Sequence, residues 1–186
     1  QTGAAGQKTQ TGSAAFEDES AAVEDPNCEI LSLTENEIVF SYSPMDMTLE
    51  EVDVDGNVFT VINGSNLANT GEIGEPGIPY ISKLAAIPVG AGASIEIRPG
   101  NYTDYEDVLL FPVQPATPDT GEFDDPDFVI EPAAYQTQEF YPGNLAELGE
   151  EGAMRGVRFT HLWMTNVQYN PQKRTLRYYN DVQVTI

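Results

Sequence analysis

Positive charge is scarce in this chain: 8 Lys and Arg stand against 30 Asp and Glu, for a net charge of −22. A surface of that sign repels phosphate backbones and anionic lipid, so nucleic acid and membrane surfaces are poor partners. It suits solubility in a salty or secreted setting. Cysteine is nearly absent too. With Cys28 alone no intrachain disulfide can form, and no sequence neighbour is basic enough to activate the thiol; it reads as a small buried residue near the first strand. No apolar run reaches the roughly 18 residues that a membrane helix needs. The chain opens at Gln1 without an apolar leader, which fits either a terminus left after signal removal or a shortened chain.

Catalytic groups are as scarce. The one histidine, His161, lies far in sequence from Cys28. No Ser or Cys sits in a nucleophile elbow, and no carboxylate pair is marked out by spacing. His161 itself reads as a hydrogen-bonded core residue beside Phe159 and Trp163. The chain is not expected to be an enzyme, and no cofactor is called for.

What charge there is lies unevenly. Residues 155–186 hold Arg155, Arg158, Lys173, Arg174 and Arg177 against Asp181, whereas residues 1–154 hold only Lys8, Lys83 and Arg98. From 99 to 154 there is no Lys or Arg at all.

Residues 1–26 are rich in Gly, Ala, Ser, Thr, Gln and acid, with Phe16 and Val23 their only large apolar groups. They bury too little to offset ordering entropy and are expected to form a disordered tail. Residues 27–186 form the folded domain, long enough to bury roughly 68–70% of its unfolded surface without disulfide or metal.

Within it, EILSLTENEIVFSYS predicts two short strands about Glu35-Asn36. MTLEEVDVDGNVFTVI predicts a hairpin on the type I′ pair Asp55-Gly56. A glycine-rich loop follows from Asn63 to Gly77, and strands are expected at Ser94–Arg98 and Asp104–Pro112. Pro115 to Pro132 is a long loop, and Asn144–Glu151 is read as one helical turn capped by Asn144.

The closing stretch reads as one long hairpin. Val157, Phe159, His161, Trp163, Val167 and Tyr169 share one side of a period-2 alternation, taken as the inward face. Leu176, Tyr178, Val182, Val184 and Ile186 continue it beyond a turn at Asn170-Pro171-Gln172-Lys173. Many short strands, Gly/Pro turns and little helical periodicity predict an all-β antiparallel sandwich, jelly-roll-like.

Four candidate motifs can be weighed. Asp53-Val54-Asp55-Gly56-Asn57 has the flavour of a calcium loop but lacks the later Glu, and reads as a plain hairpin. Asp119, Glu122, Asp124, Asp125 and Asp127 would supply oxygens for Ca²⁺ if they converged, with Asp124, Asp125 and Asp127 the candidate ligands. Asn63 and Asn101 open glycosylation sequons. Trp163, Tyr169 and Tyr178 would suit a carbohydrate groove, but their inward placement favours core packing.

Four motifs carry a resemblance. Glu75 to Ile97 (EPGIPYISKLAAIPVGAGASIEI), Asp107 to Pro112 (DVLLFP), Phe140 to Gly143 (FYPG) and Gln168 to Tyr178 (QYNPQKRTLRY) occur in order, with MRGVRF at Met154–Phe159. In this respect residues 28–186 resemble the gingipain-type propeptide, the pro-domain of family C25 cysteine peptidases.

The resemblance implies a β-sandwich that is exported with its peptidase through the periplasm of a Gram-negative bacterium. It would assist folding and occlude the active-site cleft of the C25-type catalytic domain until cleaved. In arginine-specific members a loop between the two strand motifs enters that cleft and a basic residue fills S1. Here the corresponding loop, Gln114 to Asp127, carries no base. The S1 plug would be Asp119, Thr120 or Glu122, and the partner would prefer an acidic or small residue. The alternative is a stand-alone secreted or surface module binding glycans or calcium.

Overall fold

The computed structural model describes residues 25, 27–44, 47–64, 67–116 and 127–186. Apart from Asp25, the expected tail lies outside them.

Among the described residues the regular structure is strand, with one 3-10 turn at Ala134–Gln136. Strands β1 (Cys28–Leu33) and β2 (Ile38–Tyr42) flank the Glu35-Asn36 bend as expected. Strands β3 (Thr48–Val54) and β4 (Asn57–Asn63) form the expected hairpin. Its central residues take left-handed φ of 52° at Asp55 and 81° at Gly56, as a type I′ turn requires. The Asp53 carboxylate accepts the Gly56 N–H at 3.1 Å, so this motif closes a turn.

Next come β5 (Ala68–Thr70), β6 (Ile78–Ile87), β7 (Glu96–Pro99) and β8 (Tyr102–Tyr105). The glycine-rich loop is thus interrupted by β5, which pairs with β6. The strand expected at Asp104–Pro112 lies earlier: Asp107 turns to φ 61°, and beyond it the chain makes only isolated bridges. Strands β9 (Ala146–Met154), β10 (Val157–Met164), β11 (Val167–Asn170), β12 (Thr175–Tyr179) and β13 (Val182–Thr185) complete the fold. Asn144–Glu151 is therefore no helical turn. Ala146 and Leu148 face Met164 and Leu162 across the β9–β10 ladder, and that pairing outweighs a local capping signal.

Two four-stranded antiparallel sheets, β1-β2-β13-β7 and β5-β6-β10-β9, form a sandwich. Phe40, Tyr42, Val182 and Val184 of the first meet Ile81, Leu162 and Met164 of the second in one core. Full burial of a side chain such as Leu162 stabilises by about 1.5–3 kcal/mol. A second core gathers Ile62, Ile78, Val108, Leu110, Val167, Tyr169 and Leu176, where the β3–β4 hairpin meets the β11-β12-β8 sheet.

The closing stretch is not one hairpin. β10 pairs with β6 and β9, and only β11 and β12 fold about Asn170–Lys173, where the Asn170 side-chain Oδ1 accepts the Lys173 N–H at 2.9 Å. The inward face of β10 is Thr160, Leu162 and Met164; Val157, His161 and Trp163 are exposed and Phe159 is half-buried. Both faces of this strand carry large apolar groups, so alternation alone could not choose between them. Thr165 and Asn166 then carry the chain between cores. Asn166 is fully buried; its side-chain amide donates to Tyr179 O (3.1 Å), and Tyr179 N donates back to Asn166 O (2.8 Å). That step restores the expected inward placement of Val167 and Tyr169, with Tyr178 packed beside them.

Candidate functional site

The second core is roofed by the two stems, 108–114 and 127–131, that lead into and out of the long loop. Neither stem is a strand, so their backbone groups are satisfied piecemeal. Thr60 N donates to Leu109 O (2.7 Å) and Phe111 N to Thr60 O (2.8 Å); Gly77 N donates to Phe111 O (3.0 Å) and Val113 N to Glu75 O (2.8 Å). Gly74 joins both stems: its N–H donates to Val113 O (2.8 Å), and its carbonyl accepts Glu131 N (2.9 Å). The residue sits at φ 92°, and a Cβ there would lie 2.9 Å from Glu131 N, so only glycine fits.

Gln114 closes the neck. Its side-chain amide donates to Val129 O at 2.8 Å while its oxygen accepts Val129 N at 2.9 Å. One side chain thus reproduces the two-bond pairing of a strand neighbour. The same amide nitrogen also reaches Pro112 O at 3.1 Å. Just outside, Phe111 and Phe128 pack on each other (centroids 5.6 Å apart) and on Phe59 (5.8 and 5.4 Å), and edge and tilted contacts of this kind each add about 0.5–1.5 kcal/mol beyond burial.

Two phenols fix the first stem from below. Tyr169 OH donates to Val108 O (2.9 Å) and accepts Leu110 N (3.4 Å); Tyr135 OH donates to Leu110 O (2.7 Å). Burial raises both phenol pKa values, which keeps the donating proton in place. A groove of about 320 Å³ runs beside the stem, between Ile62, Asn69, Gly77, Phe111, Val113 and Gln114.

The proposed S1 plug residues Asp119, Thr120 and Glu122 lie outside the described residues, as do Asp124 and Asp125. Asp127 is exposed at the foot of the second stem. Among the described residues no group of three or more His, Cys, Asp or Glu could hold a metal ion. Cys28 and His161 do not meet. Burial, with Asp25 adding and Lys83 opposing, pushes the Cys28 thiol up to about 11, while the ring neighbours of His161 are Phe159 and Trp163. His161 is exposed on the outer face of β10, not in the core. The arrangement offers no nucleophile and base. It offers a rigid collar that presents whatever lies between its stems.

Sequence reasoning named Gln114 as the loop's first residue but not as its clasp. It missed Gly74 and Phe128 as parts of the collar. Phe111 and Phe128 at either end of a Pro- and acid-rich run were the available signal.

The C25 propeptide family model matches residues 18–186. Lys-gingipain of Porphyromonas gingivalis is 29% identical over 169 residues, covering 86% of this chain and 9% of that protein. Gingipain R2 of the same organism is 23% identical over 177 residues, covering 94% and 24%. The chain thus spans a small part of the curated relatives it matches. Among solved structures, gingipain K of P. gingivalis, studied for its zymogenic latency, superposes with a TM-score of 0.71 at 26% identity, covering 88% of this chain and 93% of that one. The complex of P. gingivalis RgpB pro- and mature domains gives a TM-score of 0.75 at 22% identity, covering 87% and 84%. No helix among the described residues is long and apolar enough to cross a membrane.

Proposed function

The chain belongs to the C25 propeptide family, and we propose that it keeps a C25-type cysteine peptidase of the same precursor latent by laying its 114–127 loop across the catalytic cleft. The clamped neck is the observation that carries this reading. A loop that occludes a protease must resist being drawn into productive geometry, and a preorganised one loses little entropy on docking. Gln114, Gly74 and the Phe59–Phe111–Phe128 trio supply that rigidity at the base.

The loop lies in a stretch without Lys or Arg, since none occurs from 99 to 154. Its S1 group is therefore Asp119, Thr120 or Glu122, and the partner peptidase accepts an acidic or small P1 residue. The same rigid surface assists folding of the catalytic domain, and the pair is exported to the cell surface or medium.

The test adds this domain in trans to the separately produced catalytic domain. Tight inhibition is expected, weakened about tenfold or more by Asp119→Ala or Glu122→Ala if that residue is an interface anchor. Inhibition untouched by both changes and by Thr120→Ala would remove the plug. A peptide panel showing strong preference for Arg or Lys at P1 would remove the specificity assignment. Refolding the catalytic domain with and without the pro-domain tests assistance; equal yields would refute it.

A further inference from the structure

Away from the loop, on the sheet β5-β6-β10-β9, a cleft of about 330 Å³ opens between Thr70, Tyr80, Tyr141, Asn144, Glu147 and Trp163. That is the small end of ligand clefts, room for one long side chain. Its wall is aromatic. Trp163 and Tyr80 lie with centroids 5.0 Å apart and planes tilted 33°, and Trp163 and Tyr141 each keep 40% of their surface exposed. Gly149 lets the indole lie down, since a Cβ there would come within 2.9 Å of its Nε1.

Some of the polar groups around it already have partners and others do not. Thr70 Oγ1 and Tyr141 OH bond each other at 3.2 Å. The Asn144 amide donates weakly to Glu147 Oε1 at 3.4 Å. Glu147 is exposed, keeps acceptor capacity to spare, and no lining residue is cationic.

The molecule shows elsewhere what such a set of groups holds. The Arg177 guanidinium lies 3.9 Å from the centroid of the Tyr102 ring and 4.4 Å from that of Phe140, with its fork on both Asp104 oxygens at 2.8 Å. The cleft brings together the same kinds of group, aromatic rings and a carboxylate, without a cation of its own. Four other carboxylates, those of Asp25, Glu96, Glu151 and Asp104, hold Lys83, Arg98, Arg158 and Arg177. We propose that the Trp163–Tyr80–Glu147 cleft is a docking site for an arginine or lysine side chain of a partner polypeptide, arginine preferred for its planar fork. The chain's net charge of −22 draws such a segment toward the surface. A cation stacked on the ring is attracted by the negative face of its π-system, the more so once desolvated. A neutral sugar fits less well, because it brings no counter-charge to Glu147.

Trp163 is the only tryptophan, so its indole N–H gives one resolved cross-peak in a nitrogen-15 proton spectrum. The full chain is titrated with acetyl-Gly-Arg-Gly-amide, with its citrulline counterpart and with cellotetraose. The arginine peptide should shift the peak saturably, with Kd on the order of 1 mM, as a weak single-anchor contact implies. Citrulline in place of arginine, or Glu147→Gln, should each weaken this about threefold or more, and added salt should weaken it too. The rest of the spectrum reports that the variant is folded. Equal binding of the citrulline peptide, indifference to Glu147→Gln, tighter binding of cellotetraose, or no saturable shift would each overturn the assignment.

Discussion

Between the two four-stranded sheets the core is closed by backbone ladders. β10 runs from Arg158 to Met164 against β6 on one side and, apart from a bulge, along its length against β9 on the other, and the side chains inside need only fill space. Beneath the 115–128 loop the chain leaves regular pairing, and the second core is closed by individual atoms: the Tyr169 and Tyr135 hydroxyls, the Gln114 amide and the Gly74 backbone. The ladder-closed region can lose any one exposed side chain with little consequence. The atom-closed region trades that tolerance for a fixed exit geometry, as a surface that must present a loop requires.

The contrast can be broken by substitution. Leu162→Ala, in the ladder-closed core, should cost about 2–5 kcal/mol in urea unfolding, through lost burial and the cavity left behind. Tyr169→Phe removes one oxygen and no volume, yet strands Val108 O and Leu110 N, and should cost about 1–3 kcal/mol. If that variant unfolds at the wild-type midpoint, the second core is held by packing alone and the contrast fails.

Gln114→Leu should lower global stability by only about 1 kcal/mol, since the lost bonds lie at a partly solvated neck. Its signature is local: hydrogen exchange at the Val129 amide should rise tenfold or so while β10 amides stay protected. Uniform acceleration through both regions would show that the neck is not a separate unit.

The smallest effect concerns acid. The hydrogen bond from Arg177 holds the Asp104 carboxyl below its ordinary range. The folded chain therefore binds that proton less readily than the unfolded one. The pair's stabilisation, about 0.2–1 kcal/mol for an ion pair near the surface, is present above about pH 4 and fades as pH falls through the folded value. Asp104→Asn should lower stability at neutral pH and leave a shallower acid limb. An unchanged limb would mean the pair contributes nothing.

What the sequence disclosed and what it hid follow one physical line. Asp55-Gly56 and Asn170–Lys173 were legible because each turn is specified by residues within it. So was the antiparallel all-strand architecture, from alternation and punctuation. The facing of β10 was not, because Phe159 and Trp163 compete with Leu162 and Met164, and only the opposing sheet decides between them. Asn144–Glu151 carries a cap-like Asn, but its pairing with β10 is a long-range fact. Gln114 was hidden for the same reason: its partner, Val129, lies beyond the loop that it closes.

The Gln114 clasp has one more consequence. It grips main-chain atoms of Val129, so these two bonds do not read the identity of the residue they hold. Selection could rewrite the tip while the socket stays as it is. A fold of this kind can follow a peptidase through changes of taste by exchanging a few residues, with the sheets beneath left as they were.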